Sequence, residues 1–469
     1  MDETTHLVTF TSSDGTESVG RLDRWSRHAA SFIVQAMGIS LRVSEVLVDF
    51  RITLEGRTAY SGRATVSGLV QVSTGLACEV TLEDSWLDLH IPAVGQEDTL
   101  KEAFLQFQNT WQKQFRISPE FKLIVADLQI YMTDLRLWLE QLELAIRSSP
   151  SGDRIGLEEK ILNQIGNVTI SALNTLFDSY ESLAAGVADA DWPAHCNYAK
   201  RQLHSLILCA PFVYRTFFKP FGYAGDYEMV DMIARNQFEG GSMFAKVINH
   251  WFLQQAPAQA HRNRLSFMTQ RLVEETARVS ASKPTTRILN LGCGPAVEIQ
   301  RFLEDSEITN KCEFVLLDFN EETLRHAQSR LEAIQSAHHR TAQIRFDKRS
   351  VHQVLKESGK KLTQSADRQY DMVYCAGLFD YLTDQVCHRL IGVFYNWVVP
   401  GGLVLVTNVD QSNPRRRTME SLLDWNLIYR NSRDAEKLIP EDIPREAVTV
   451  RSEDTGVNIF IEIRKPRHG

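Results

Sequence analysis

The sequence predicts a multidomain α/β protein in which a doubly wound parallel sheet follows a helical region and a small N-terminal β-barrel. Three observations lead to this prediction. Strand-like apolar runs alternate with helical patterns over residues 284–469, helical periodicity dominates residues 97–280, and short strand-like segments separated by turns fill residues 7–92. Alternation of strands and helices is typical of parallel sheets, whereas short strands at regular spacing are typical of barrels and sandwiches.

The overall composition is that of a globular protein with more than one hydrophobic core. The chain has 469 residues, of which 43% are hydrophobic and 23% are charged. At about 150 residues per domain, this length suggests three domains. The formal net charge is −8, which argues against general binding to nucleic acids. We therefore expect a small-molecule substrate and no nucleic-acid partner.

Cysteine usage and hydropathy predict a cytoplasmic protein. The seven cysteines are scattered and form no CxxC pair, so we expect free thiols, no disulfide framework and no metal site. The first residues, MDETTH, are polar and acidic, and no run of about 20 apolar residues occurs. These features predict neither a signal peptide nor a transmembrane segment.

Residues 1–95 are predicted to form the β-barrel. Strand-like segments such as residues 7–10, 31–34 and 46–52 lie between turn signals. Their order resembles that of a PilZ-like domain, a family whose usual ligand is a cyclic dinucleotide. The ligand motif of that family, an RxxxR arm followed by a D/NxSxxG turn, is not intact here. Packing or dimerisation and the binding of a cyclic dinucleotide are therefore both open for this domain.

Two helical regions are predicted to follow the barrel. Residues 96–195 form a connector or homodimer platform in this interpretation, and residues 196–283 form a lid and substrate region. Between residues 121 and 146, large apolar side chains recur at steps of three and four, which places them on one face of a helix. They are Phe121, Ile124, Leu128, Tyr131, Leu135, Trp138 and Leu142. The apolar stretches 203–218 and 243–252 are candidates for the lining of an apolar tunnel, and an ordinary core is the alternative.

The pattern most closely tied to chemistry lies in the C-terminal domain, residues 284–469. Its first strand ends in the sequence NLGCGP at residues 290–295, where glycines let the backbone approach a ligand at the carboxyl edge of the sheet. Val297 replaces the third glycine of the dinucleotide fingerprint, which disfavours a nicotinamide cofactor. The second strand ends in Asp318, 24 residues after Gly294. An acidic side chain there can accept hydrogen bonds from both hydroxyls of a ribose.

These features, together with the sequence PGG at residues 400–402 and a terminal hairpin predicted near residues 447–463, resemble the class I S-adenosylmethionine (SAM) methyltransferases. The resemblance implies a Rossmann-like seven-stranded sheet and SAM as the cofactor. It also implies that SAM contacts residues of the glycine turn and of the ends of strands two, three and four, namely Asn290, Gly292, Cys293, Gly294, Asp318, Phe319, Asp347, Ser350, Ala376 and Leu378. At the end of strand three, the choice between Asp347 and Ser350 is open.

A second block, KPFGYAGDYEM at residues 219–229, contains more aromatic residues and glycines than an ordinary helix does. As a loop, it offers hydroxyl donors, an acid and flexible glycines, which suit a lid over a cofactor. Together with MESLLDWNLIYRN at residues 419–431, it resembles bacterial proteins that make 3-hydroxypalmitic acid methyl ester, a quorum-sensing signal. From these two blocks we select Tyr223, Asp226, Trp425 and Tyr429 as candidate catalytic residues.

The resemblance implies an O-methyltransferase that forms a methyl ester on the carboxylate of a 3-hydroxy fatty acid. A fatty-acid carboxylate has a pKa of about 4–5, so at neutral pH it needs orientation and a dry site but no general base. For a hydroxyl or amine acceptor, His352, Asp380 or Tyr381 would be the first candidates for the base. Two alternatives stay open: methylation of another small metabolite, and a regulatory protein that binds SAM and a cyclic dinucleotide without turnover.

Overall fold

A computed structural model of the chain describes residues 6–26, 28–35, 41–54, 57–72, 75–83, 101, 104–105, 108, 117–149, 153–359 and 369–467. The chain divides into two units. Unit 1 comprises Met1–Ala224, Gln237–Gln254 and Arg415–Asn426, and unit 2 comprises Gly225–Asn236, Gln255–Pro414 and Leu427–Gly469. The predicted boundary between β domain and helical connector, at residues 95 and 96, lies outside the described residues. No helix of the described segments is long and apolar enough to cross a membrane.

Unit 1 begins with a closed antiparallel barrel, which confirms the predicted N-terminal β-barrel. Its strands within the described residues are β1 (Leu7–Thr11), β2 (Glu17–Trp25), β3 (Ala29–Val34), β4 (Val46–Leu54), β5 (Arg57–Val72) and β6 (Gly75–Leu82). They follow the order β1-β2-β3-β6-β5-β4, and β4 pairs with β1 to close the ring. Alternate side chains point inward, where the ring centroids of Phe10, Phe32 and Phe50 lie 5.4 to 6.3 Å apart.

The rest of unit 1 is helical. Numbered along the described chain, its helices are α1 (Pro119–Ser148), α2 (Arg154–Ala185), α3 (Trp192–Ile207), α4 (Pro211–Phe218), α6 (Met243–Leu253) and α12 (Arg416–Leu423). Although α12 comes late in the chain, it packs against α3 and α2. The hydroxyls of Tyr180 and Ser421 lie 2.6 Å apart, and Glu181 Oε1 accepts a hydrogen bond from the Thr418 N–H at 2.8 Å.

Helix α1 confirms the predicted periodicity in its first half and departs from it in the second. Ser118 caps the helix by accepting a hydrogen bond from the Phe121 N–H at 3.2 Å, and Phe121 and Leu128 are buried as expected. Trp138, however, is 50% exposed, whereas Leu139 is fully buried. Over several turns, steps of three and four allow either of two neighbouring positions to lie on the apolar face. In this helix the packing buries Leu139 and leaves Trp138 exposed.

Unit 2 contains a mixed sheet of seven strands within the described residues. These are β7 (Thr286–Leu291), β8 (Cys312–Asp318), β9 (Gln343–Lys348), β10 (Tyr370–Cys375), β11 (Val398–Val409), β12 (Val448–Ser452) and β13 (Asn458–Arg464). Their order is β12-β13-β11-β10-β7-β8-β9. Strands β7 to β11 pair in parallel, and β13 is antiparallel to both neighbours. The sheet confirms the predicted Rossmann-like domain and its terminal hairpin.

Helices cover both faces of this sheet. They are α5 (Tyr227–Arg235), α7 (Ala256–Ser280), α8 (Val297–Asp305), α9 (Glu321–His338), α10 (Val351–Gly359), α11 (Asp384–Trp397) and α13 (Ser432–Lys437). Adjacent residues of β7 belong to different cores: Ile288 packs with Phe302 of α8, whereas Leu289 packs with Phe394 of α11. A parallel sheet buried on both faces reads as continuous apolar runs. Because helices pack against both faces of the sheet, the strand ends that carry the candidate site are held in place.

Candidate active site

The carboxyl ends of β9, β8, β7 and β10 lie along one edge of the sheet in unit 2. Asn290 of β7 is in register with Tyr374 of β10, and Asp318 of β8 is in register with Lys348 of β9. The strand order reverses at β7, since β8 and β9 lie on one side of it and β10 and β11 on the other. In open α/β sheets, ligands bind outside the carboxyl ends at such a reversal. The loops after β7 and β10 therefore form the candidate site.

The loop after β7 turns at two glycines with positive φ. Gly292 has a φ of 71° and Gly294 a φ of 53°, values in the left-handed region that glycine adopts without strain. A Cβ on Gly292 would lie 3.4 Å from Cδ2 of Leu378 in the loop after β10. Beyond Gly294 and its two chain neighbours, no atom of the described residues comes within 4 Å of a Cβ on Gly294. The turn thus leaves open space beside Gly294, and α8 begins directly afterwards at Val297.

Asp318 connects this turn to the end of β8. Its Oδ2 accepts a hydrogen bond from the Gly294 N–H at 3.2 Å, and its Oδ1 accepts one from the Asn320 N–H at 3.0 Å. The residue is 6% exposed. A carboxylate accepts up to about four hydrogen bonds, so ribose hydroxyls can join these backbone donors. The geometry fits the predicted role of Asp318, and Phe319 follows it as a half-buried aromatic residue.

Asn290 lies beneath the turn in a buried network. Its Nδ2 donates to Glu298 Oε1 at 3.2 Å, and the Tyr374 hydroxyl donates to the same oxygen at 2.7 Å. Burial raises the pKa of Glu298 above its usual range. Asn290 Oδ1 is buried and accepts no hydrogen bond from any residue in the described part of the chain. A buried acceptor left unsatisfied costs free energy, and a donor from a bound ligand would remove that cost.

The remaining predicted cofactor residues have local partners. Asp347 Oδ2 accepts a hydrogen bond from Arg349 Nε at 2.9 Å, and the Ser350 hydroxyl accepts one from the Gln353 N–H at 3.3 Å. Burial raises the pKa of the Cys293 thiol well above its usual range, which disfavours a thiolate there, and its contact with the cofactor stays a prediction. Within the described segments, no group of three or more His, Cys, Asp or Glu side chains is placed to hold a metal ion.

The loop after β10 brings Ala376 and Leu378 to the same edge, together with Arg264, which the sequence patterns did not reveal. Gly377 has a φ of 87°, and a Cβ there would lie 2.9 Å from Nη2 of Arg264 on α7. Asp380 follows in this loop, and its Oδ1 accepts a hydrogen bond from the Val409 N–H at 2.6 Å. Burial raises the pKa of Asp380 to about 6, although the Arg264 charge acts in the opposite direction.

Of the four predicted catalytic residues, Tyr223 and Trp425 belong to unit 1. Tyr223 is half-buried and follows Gly222, whose carbonyl accepts a hydrogen bond from the Val46 N–H at 2.7 Å. Trp425 is half-buried just after the end of α12, and its backbone N–H donates to the Met419 carbonyl at 3.0 Å. These backbone contacts fix both loops, and the catalytic roles of the two side chains stay predictions.

Asp226 and Tyr429 belong to unit 2. Asp226 is the N-cap of α5, because its Oδ1 accepts a hydrogen bond from the Met229 N–H at 3.0 Å. Tyr429 is half-buried and packs with a small apolar cluster that includes Val409 and Val457. The structure thus gives Asp226 a clear structural role, and a catalytic role for either residue stays a prediction.

Unit 1 contains a charged cavity of about 290 Å³ beside β5 and β6. Its charged and titratable lining residues are Glu83, Lys200, Arg201, His204 and Asp424. Lys200 Nζ forms an ion pair with Asp424 Oδ1 at 2.5 Å. Burial lowers the pKa of His204 to about 4, and the ring Nε2 of this residue lies 3.0 Å from the Leu422 carbonyl oxygen. The cavity therefore combines two cations and two acidic side chains with a histidine whose pKa is lowered.

Comparison with known proteins gives one matching family model. Residues 282–448 match the family model of a methyltransferase domain. A search among curated proteins finds no match. Among solved structures, a possible exported protein from Bordetella parapertussis is 15% identical, with a TM-score of 0.41 over 68% of this chain and 99% of that chain.

Two further solved structures are methyltransferases. The N-methyltransferase NodS from Bradyrhizobium japonicum, in complex with S-adenosyl-L-homocysteine, is 14% identical over 51% of this chain and 98% of that chain, with a TM-score of 0.31. The magnesium protoporphyrin IX methyltransferase ChlM from Synechocystis, with bound SAM, is 12% identical over 44% of this chain and 83% of that chain, with a TM-score of 0.30. The family match covers residues 282–448, about a third of the chain, and together with the Rossmann-like sheet it supports a methyltransferase domain in this part of the chain.

Proposed function

We propose that the chain is a SAM-dependent O-methyltransferase that forms a methyl ester on the carboxylate of a 3-hydroxy fatty acid, a product of the quorum-sensing signal type. The observation that carries the cofactor part is the glycine turn after β7, where Gly294 and Asp318 are joined beside open space. The match of residues 282–448 to a methyltransferase domain supports the reaction class. The acceptor rests on the resemblance of residues 219–229 and 419–431 to bacterial proteins that make such an ester.

SAM, when bound, supplies a sulfonium methyl group whose transfer to a carboxylate oxygen leaves the electron pair of the broken C–S bond on sulfur. In this proposal Asp318 accepts hydrogen bonds from the ribose, and Asn290 Oδ1 accepts one from the methionine amino group. Because the acceptor is already ionised at neutral pH, the chain removes no proton. Its residues bind, orient and exclude water, and orientation alone supplies about 7–11 kcal/mol in favourable cases.

Tyr223, Asp226, Trp425 and Tyr429 stay the proposed catalytic residues. Three of them carry a hydroxyl or an indole N–H that can donate a hydrogen bond to a carboxylate. Asp226 cannot donate when ionised, so its proposed contribution is to hold the start of α5 in the lid block. The most direct test is Tyr223→Phe, which keeps the ring and removes one donor. We expect kcat to fall more than the affinity for SAM, and wild-type kinetics would leave Tyr223 a packing role only.

Methyl transfer to a defined panel of acids tests the whole proposal. Purified protein is incubated with methyl-labelled SAM and with saturated fatty acids of several chain lengths, each with and without a 3-hydroxyl group. Organic extracts are then analysed by mass spectrometry, and Asp318→Ala protein measures the background. A labelled methyl ester is the expected product. Labelled SAM that binds but gives no lipid product would rule out the acyl acceptor and leave the alternative, another small metabolite.

The charged cavity in unit 1 favours a second candidate function, that of a regulatory protein. Lys200 and Arg201 line this cavity together with Glu83 and Asp424, beside strands β5 and β6 of a barrel that resembles a PilZ-like domain. Lys200 is paired with Asp424, so a phosphate group would bind here by replacing that carboxylate as the partner of Lys200. In this alternative, the barrel binds a cyclic dinucleotide and the α/β domain holds SAM without turnover. Calorimetry with a cyclic dinucleotide on wild type and on Lys200→Ala/Arg201→Ala protein tests it. No heat of binding at micromolar protein would remove this alternative.

A further inference from the structure

Arg264 is a buried cation whose charge is not matched by a direct partner. It lies on α7 and is 8% exposed. No residue in the described segments forms a hydrogen bond or an ion pair with its guanidinium group. A buried charge is costly unless it is paired or hydrogen-bonded, so a guanidinium group in this condition suggests that its partner is a ligand.

The backbone of the loop after β10 makes room for this guanidinium group. A Cβ on Gly377 would lie 2.9 Å from Nη2 and 3.0 Å from Nη1 of Arg264, so a larger residue would compete for the same space. The same loop touches the cofactor turn, because Leu378 Cδ2 lies 3.4 Å from a Cβ built on Gly292. Arg264 is therefore brought to the carboxyl edge of the sheet, in the loop that borders the proposed SAM turn.

The neighbouring acids are engaged elsewhere. The charges that act on Arg264 come first from Asp380 and then from Tyr381 and Glu298. Asp380 Oδ1 accepts from the Val409 N–H at 2.6 Å, and Glu298 Oε1 accepts from the Tyr374 hydroxyl at 2.7 Å. Burial lowers the pKa of Arg264, yet an arginine remains protonated at neutral pH because its ordinary value is so high. The neighbouring acids thus attract the Arg264 cation electrostatically, but none within the described residues forms a hydrogen bond or an ion pair with it.

We propose that Arg264 binds a carboxylate in the methyl-transfer site through paired N–H···O hydrogen bonds. The planar guanidinium group matches a carboxylate in this bidentate manner, which a lysine cannot reproduce. The inference rests on the proposed function, and it names the residue that recognises the anion at that site. Two carboxylates share this chemistry, that of the methionine part of SAM and that of the fatty-acid acceptor.

Calorimetry on three proteins distinguishes the two carboxylates. Wild type, Arg264→Gln and Arg264→Lys are titrated with SAM and with decarboxylated SAM, which differ only in the carboxylate. If Arg264 binds the methionine carboxylate, Arg264→Gln weakens SAM binding about 10- to 100-fold, the range expected for charged hydrogen bonds. Binding of decarboxylated SAM then changes less than about threefold in the same variant, and Arg264→Lys lies between Arg264→Gln and wild type.

If Arg264 binds the acceptor, the selectivity for SAM over decarboxylated SAM is unchanged in Arg264→Gln. The variant instead loses about 10- to 100-fold in affinity for a 3-hydroxy fatty acid titrated in the presence of S-adenosylhomocysteine. Its affinity for the matching methyl ester, which has no carboxylate, stays at the wild-type value. Either result supports the proposal and identifies which carboxylate is bound.

Wild-type values for both ligand pairs in Arg264→Gln would overturn the inference and leave the proposed function standing. Wild-type protein that binds neither SAM nor S-adenosylhomocysteine would overturn both. The matched control is Arg278→Gln on the same helix, because Arg278 pairs with Glu275 and should leave every affinity unchanged. Thermal melting checks the fold of each variant, and if Arg264→Gln does not fold, Arg264→Lys carries the same comparison.

Discussion

The backbone N–H of Gly294 donates a hydrogen bond to Oδ2 of Asp318 over 3.2 Å, which ties the loop after β7 to the end of β8. The sequence predicts the first of these residues as part of a glycine turn and the second as an acid after a strand. Their contact makes the carboxylate of Asp318 part of the turn itself. The same side chain therefore shapes the turn at which we propose that the cofactor binds.

Asp318→Ala should weaken SAM binding by about 1–3 kcal/mol, because buried ribose hydroxyls lose their acceptor. This corresponds to an increase of about 5- to 150-fold in the Kd measured by calorimetry. Asp318→Asn keeps one acceptor oxygen and should lose less. The control is Glu321→Ala, an exposed residue at the start of α9. An Asp318→Ala protein with wild-type affinity would remove Asp318 from the cofactor site.

Asp226 can be tested as a cap and as a catalytic group with two substitutions. Asp226→Ala should lower the free energy of unfolding by about 1 kcal/mol, within a range of about 0.5–2, because the Met229 N–H loses its acceptor. Asn also caps helices well, so Asp226→Asn should keep most of the stability. If the negative charge serves catalysis, Asp226→Asn instead loses turnover at unchanged stability. Full activity and full stability in Asp226→Asn would restrict this residue to capping.

Tyr374→Phe should destabilise unit 2 by about 1–3 kcal/mol, because the buried Glu298 carboxyl loses its 2.7 Å donor. Denaturant unfolding measures this change. Glu298→Gln is the companion variant: its Oε1 can still accept from both Tyr374 and Asn290, so the loss should be smaller. Equal stability of Tyr374→Phe and wild type would mean that this network contributes nothing beyond packing.

His204 should make the stability of unit 1 depend on pH. Burial lowers the pKa of its folded state to about 4 from the ordinary 6.5. As pH falls through 6.5, the unfolded chain takes up a proton that the folded chain does not bind until about pH 4. Unfolding therefore becomes more favourable, by about 2 kcal/mol between pH 7 and pH 5.

His204→Gln removes this titration and keeps an N–H donor for the Leu422 carbonyl. Its free energy of unfolding should fall less than that of wild type between pH 7 and pH 5. Glu45 and Glu181, whose pKa values are raised by burial, act with the opposite sign in both proteins, so the difference between variant and wild type is the relevant quantity. Identical pH dependence in the two proteins would contradict a neutral buried His204.

The sheet could be predicted from sequence because its central strands, such as β8 and β10, are buried on both faces. Continuous apolar runs such as that of β8 need no tertiary information to be recognised. Gly294 and Asp318 were found for a related reason: a left-handed backbone at the end of a strand requires glycine, and an acid at the next strand end lies on the same edge. Chain order alone places both residues at one site.

Arg264 and Glu298 show where such reasoning ends. Each lies on a helix that carries several polar residues, and the sequence does not show which of them is buried. Arg264 and Glu298 are buried because α7 and α8 pack against the sheet. The cap formed by Asp226 was missed for a different reason. Its loop is unusually rich in glycine and aromatic residues, a composition that suggests a catalytic role for Asp226. An Asp before an amphipathic run is also a helix start signal, and this second interpretation describes the cap.

The path of the chain through the two units has a consequence for synthesis and for truncation. Unit 1 includes the segment Arg415–Asn426, in which Ser421 contacts Tyr180 across 2.6 Å. During synthesis from the N-terminus, the helices of unit 1 must therefore wait for most of the chain before α12 can join them. A fragment that begins at residue 284 would carry α12 without these partners and expose its buried Leu422. Neither unit can be obtained as one uninterrupted stretch of sequence.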